Sequence, residues 1–142
     1  MAYNKPYAYL YKDPIIVAYQ ENLALRFTLE LDRDIIPPPE QVSKIVCIYE
    51  FGVTPDRYFE RDLTNMIKAT EDAIFGQEYS VFPEYDDSLV TSILENKLIS
   101  NTEYVSISVG FLMNGDNPIK CLYNMLRSRY GQYIGQDDFW FF

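Results

Sequence analysis

Acidic residues, an amide and a lysine fall into two blocks of this chain. "RDLTNMIKATEDA", residues 61–73, places Asp62, Asn65, Lys68 and Asp72 around the start of a predicted helix, and "YDDSLVTSILE", residues 85–95, sets Asp86 and Asp87 ahead of an apolar run. A fold that returns the later strand beside the helix start brings Asp62 and Asp87 together. Two converging carboxylates repel in a dry site, so a divalent cation gives them a physical reason to coexist. Mg²⁺ suits such oxygen ligands at about 2.0–2.1 Å, with Mn²⁺ as a possible substitute. With a phosphate bound, the ion would orient an attacking water and screen the developing charge, while Lys68 contacts a nonbridging oxygen. The competing reading is a solvated helix face. Lys68 then simply pairs with Asp72 four positions later, which contributes about 0.2–0.5 kcal/mol.

The elements that must position these groups follow from periodicity. Met66, Ile67, Thr70, Ala73 and Ile74 form the packing side of a helix that begins near Thr64 or Asn65, with Asn65, Lys68 and Asp72 on a neighbouring polar stripe. Upstream, "KIVCIYEF" predicts a strand buried on both faces. Downstream of Gly76 and an aromatic loop, the latter half of "YDDSLVTSILE" reads as a strand. "KLISNT" then connects to an alternating strand, "EYVSISVGF". "LALRFTLELD" alternates Leu23, Leu25, Phe27 and Leu29 with smaller or polar residues, which predicts a half-buried strand. Residues 7–12 and 15–19 read as an irregular strand and loop around Pro14, and Pro37, Pro38 and Pro39 as an extended connection. A second helix is predicted over residues 119–130, with Ile119, Leu122, Tyr123 and Leu126 near one face. The final "GQDDFWFF" reads as a cover for an apolar patch or an assembly surface. The sum is a small α+β domain with a mixed sheet.

Composition narrows the function classes. A chain of 142 residues with 48% apolar content supports one ordinary hydrophobic core. The absence of histidine excludes imidazole catalysis and imidazole metal ligation, and Cys47 and Cys121 are too few for a disulfide framework or a four-cysteine metal site. Cys47, inside an apolar run, reads as a reduced core residue. A formal charge of −9 opposes general attraction to nucleic acid, so phosphate binding requires a local basic patch or a cation. Lys68, Lys120, Arg127 and Arg129 are the candidates, and Tyr7, Tyr9 and Tyr11 are aromatics able to stack or to pack. With no long apolar segment and no signal-peptide pattern, the expectation is a soluble intracellular protein.

The ordered pair "RDLTNMIKATEDAIFG" and "YDDSLVTSILENKL" resembles the RusA-like Holliday-junction resolvases over roughly residues 23–109. The resemblance implies a nuclease domain over residues 1–110, with residues 111–142 as a helical and aromatic extension packed on it. It further implies a Mg²⁺-dependent homodimer that binds branched DNA and hydrolyses phosphodiesters in opposed strands, in recombination and repair. By motif, Asp62 takes the first acid at the helix entrance, Lys68 the catalytic lysine, and Asp87 the metal-binding acid before the strand, with Asp86 beside it as an auxiliary. Asn65 and Asp72 match the local pattern in a supporting role. The departure is Thr64, which stands where the family pattern has a second acid. Its hydroxyl can hold water near a metal or cap the helix, but it restores no charge. Glu60 is the candidate replacement, since an extended segment would put it on the same side as Asp62. If cleavage is lost, the same fold implies a nucleic-acid-binding module or a protein-interaction module.

Overall fold

The computed structural model describes residues 14–130. Among them the order is α1 (Pro14–Glu30), β1 (Lys44–Val53), α2 (Leu63–Ile74), β2 (Val90–Ile99), β3 (Tyr104–Leu112) and α3 (Pro118–Tyr130). The protein is α+β, and its described residues fall into two compact units. A helical unit runs to Asp32 and includes Thr64–Asp87, whereas a sheet unit holds Arg33–Leu63 and the chain from Ser88 onward.

In the helical unit, the segment expected to be a strand from Leu23 is the second half of α1. Gln20 and Ala24 are buried and Leu23 and Phe27 half-buried, a 3.6-residue stripe, while Leu25 and Leu29 are 60% and 75% exposed. The alternation therefore had no buried face behind it. Residues 15–19 are likewise helical rather than irregular strand. Two side chains tie α1 to α2: the Tyr19 and Thr70 hydroxyls share a 2.8 Å hydrogen bond, and Gln20 Nε2 donates to the Ala69 carbonyl at 3.2 Å. Thr70, Ala73 and Ile74 of α2 are buried, as its periodicity predicts. The chain then folds back, so that the Val81 and Phe82 amides donate to the Ala73 and Ile74 carbonyls at 3.1 and 2.8 Å. These bonds satisfy carbonyls that the helix end would otherwise leave open. Gly76, with φ of +75°, makes that reversal, a conformation that costs other L-residues strain. Phe75, Phe82, Tyr85 and Phe27 close the unit through stacked and edge-on ring contacts.

In the sheet unit the strand order is β2-β1-β3, with β1 parallel to β2 and antiparallel to β3. Central β1 is buried along nearly its whole length, including Cys47, as the two-faced apolar run predicts. One sheet face carries Ile45, Cys47, Tyr49, Phe51 and Val53 together with Val105, Ile107, Val109 and Phe111. The opposite face carries Val46, Ile48, Glu50 and Gly52 beside Gly110, Ser108, Ser106 and Tyr104. β2 runs on to Ile99, past the expected break at "KLIS", because its pairing with β1 continues to Val53.

The second predicted helix is α3, started by Asn117, whose Oδ1 accepts from the Ile119 and Lys120 amides at 2.9 and 3.2 Å. Ile119, expected on the packing side, is 70% exposed. Cys121 and Met125, one turn apart, approach the sheet at Gly110 instead. Residues 7–12, with Tyr7, Tyr9 and Tyr11, and the final "GQDDFWFF" lie outside the described residues. Among the described residues, one strand precedes α2 where two were expected. No helix among them is long and apolar enough to cross a membrane.

Candidate functional site

In chain order, Asp62 immediately precedes α2, and Asp86 and Asp87 precede β2. Asp62 is exposed and immediately precedes Leu63, the first residue of α2, which is the capping position where a carboxylate is favoured by the free amides and the helix dipole. Thr64, expected as an alternative cap, is instead within the first turn, exposed beside Asn65. Lys68 is exposed one turn on, and Asp72 is half-buried one turn beyond it. Asp86 and Asp87 are exposed at the other end of the helix. The Asp87 amide nitrogen is 3.9 Å from the point a Cβ on Gly76 would occupy. Thr64 and Ile74 are ten residues apart in α2, about 15 Å along its axis. Within the helical unit the second acidic block thus neighbours the carboxyl end of α2, and Thr64 and Asn65 its amino end.

Asp62 belongs to the sheet unit, at the end of the turn that leaves β1. That turn is held by the Arg57 amide donating to the Thr54 carbonyl at 3.0 Å and by the Glu60 and Arg61 amides donating to the Arg57 carbonyl at 3.0 and 3.2 Å. Glu60, the candidate substitute acid, is exposed within this hydrogen-bonded turn rather than in an extended segment, so strand-like alternation does not place it on the side of Asp62. Side chains from elsewhere in the unit fasten the end of the turn. Lys97 Nζ donates to the Arg61 carbonyl at 2.8 Å and lies 4.2 Å from the centre of the Tyr58 ring. The Arg61 guanidinium donates to Glu103 at 3.0 Å, and Arg57 stands 3.9 Å from the same carboxylate.

The candidate phosphate contacts on α3 divide by environment. Lys120 and Arg127 are exposed and seven residues apart, hence on one side of the helix, with the Arg127 guanidinium 5.9 Å from the Tyr123 ring. Arg129 turns inward instead and donates to the Ser108 hydroxyl at 2.7 Å. Nearby, the Glu50 carboxylate accepts from Tyr104 at 2.7 Å through one oxygen and from Tyr130 through the other. Burial alone would push Glu50 up, but the two hydroxyls and the Arg129 charge outweigh it and hold the carboxyl below its ordinary value. The Tyr104 hydroxyl, bound to that carboxylate, is pushed up to about 12. Sequence reasoning passed over Glu50, Tyr104 and Tyr130. A single acid inside an otherwise apolar strand was the signal that a polar partner existed.

Among the described residues, no three or more His, Cys, Asp or Glu side chains form a group able to hold a metal ion. Mg²⁺ needs fewer protein ligands, being bound through one or two carboxylates plus phosphate oxygens and water. The exposed carboxylates of Asp62, Asp86 and Asp87 are donors of that kind. Comparison of the chain with protein-family models, with curated proteins and with solved structures gave no match.

Proposed function

We propose that this chain is a divergent RusA-like endonuclease, acting as a homodimer that binds branched DNA and hydrolyses its phosphodiesters with Mg²⁺. The observation that carries the reading is the agreement of motif order with element order. A strand ends before Asp62, a helix carries Asn65, Lys68 and Asp72, and Asp86 and Asp87 precede the next strand, parallel to the first. Further support comes from α3, which presents Lys120 and Arg127 to solvent and carries no acid, in a chain with 21 acidic and 12 basic residues. Such local reversal of charge is what an acidic protein needs to touch phosphates. Bound Mg²⁺ would supply an activated water and charge neutralisation. The resemblance assigns Asp62, Asp86 and Asp87 to metal binding and Lys68 to the phosphate, roles that substitutions test one acid at a time. Thr64, which stands where the family pattern has a second acid, favours a second reading, in which the protein binds junctions without cutting them.

A labelled four-way junction and a matched duplex, incubated with the purified protein in EDTA, Mg²⁺ or Mn²⁺, separate the readings. The nuclease reading expects symmetric, metal-dependent cuts in the junction that disappear in D62N and D87N while both variants stay folded. Junction binding with no cut in any metal selects the second reading. Neither binding nor cutting overturns both.

A further inference from the structure

Asp62 directly follows a solvent-exposed turn. Phe59 is 93% exposed, Glu60 and Asp62 are exposed, and backbone bonds within the turn run from Thr54 to Arg61. Yet Arg61, the residue before Asp62, is gripped from two directions. Its carbonyl receives the Lys97 ammonium from β2, and its guanidinium binds Glu103 just ahead of β3. Lys97 is half-buried and paired with Phe51 in the sheet, so its anchor end is rigid. Its charged end is further restrained over the Tyr58 ring. A charge-assisted bond to a backbone carbonyl fixes that peptide plane, and the next residue's backbone direction with it.

From this geometry we infer that Lys97 and Glu103 are positioning residues that clamp the Arg61–Asp62 peptide and thereby aim the Asp62 carboxylate; the inference rests on the nuclease reading of Asp62. The sequence resemblance assigns no role to either residue. Lys97 acts through the Arg61 backbone, and Glu103 acts through the Arg61 side chain.

The test compares the full-length protein with K97M, K97R and E103Q by hydrogen exchange and by junction cleavage in Mg²⁺. K97M should speed amide exchange at residues 60–63 by about tenfold, the effect of losing one charged hydrogen bond. Protection of β1 should stay unchanged, because the clamp lies beyond the strand. E103Q should show the same local pattern more weakly, and K97R should restore it, since a guanidinium can donate to the same carbonyl and stack on Tyr58. The cleavage rate at saturating junction should fall in K97M with junction affinity unchanged, and recover in K97R. Unchanged exchange at residues 60–63, or an equal rise across β1, overturns the clamp. Faster local exchange with an unaltered cleavage rate overturns the positioning role while leaving the nuclease reading intact. A wild-type chain that cuts no junction in either metal overturns the nuclease reading itself, and with it any positioning role, even where exchange shows the clamp to be present.

Discussion

Substituting Gly110 by alanine tests how closely α3 lies on the sheet. A Cβ at this position would sit 2.7 Å from Met125 Sδ, 3.0 Å from Val46 Cγ2 and 3.1 Å from Cys121 Sγ. Nonbonded heavy atoms are comfortable near about 3.5–4.0 Å, so the new methyl is close to 1 Å too near the thioether and trapped on its other sides. Met125 can swing its sulfur aside, but Val46 is fully buried in β1 and has no such freedom. Overpacking of this kind costs about 1–3 kcal/mol, offset by about 0.4–1 kcal/mol from the stiffer unfolded chain. The net loss is about 1–2 kcal/mol, a fall of about 3–8 °C in Tm for a chain of this size. Urea and thermal unfolding followed by circular dichroism measure it. A cycle with Met125→Ala isolates the contact, because the double variant should lose at least about 1 kcal/mol less than the sum of the single losses. A Gly110→Ala protein as stable as the parent, or a strictly additive cycle, would refute the close seating of α3.

The Glu50 cluster makes stability depend on pH at both ends of the scale. Tyr104 is raised to about 12 from an ordinary 10, so its contribution is complete below pH 10 and disappears as pH rises toward 12; Glu50→Gln should flatten that alkaline decline in Tm measured against the parent. Glu50 itself is lowered, so its contribution is present above the ordinary carboxylate range and disappears as pH falls through the folded value, an acid-side loss that the same variant should lack. Replacing both Lys120 and Arg127 by alanine should reduce the slope of log Kobs against log salt for a labelled junction by about 2, roughly one unit per phosphate contact, without changing Tm. Arg129→Ala should instead lower Tm through its lost bond to Ser108, and an unchanged salt slope in the Lys120/Arg127 variant would remove α3 from the DNA surface.

What could be read from the chain itself was whatever a short window specifies. β1, α2, β3 and α3 follow from local apolar periodicity, because a strand or helix with a buried stripe writes its period into consecutive residues. Cys47 was legible as core for the same reason, and the acid–amide–lysine order of the two blocks is a property of sequence alone. Tertiary structure decided the rest. The segment from Leu23 to Glu30 satisfies a strand's alternation and a helix's stripe at once; ties from Tyr19 and Gln20 to α2 accompany the helix, leaving Leu25 and Leu29 in solvent. The partners of Lys97, Glu103 and Glu50 are 36, 42 and 54 or 80 residues away, and no local pattern encodes such distances. Sequence supplied the donors, their order and the helix that separates them. Only the fold placed Asp87 beside Gly76 at the carboxyl end of α2 and fixed Arg61 against β2, since these depend on where the chain returns after a loop, and loop closure is set by packing rather than by period.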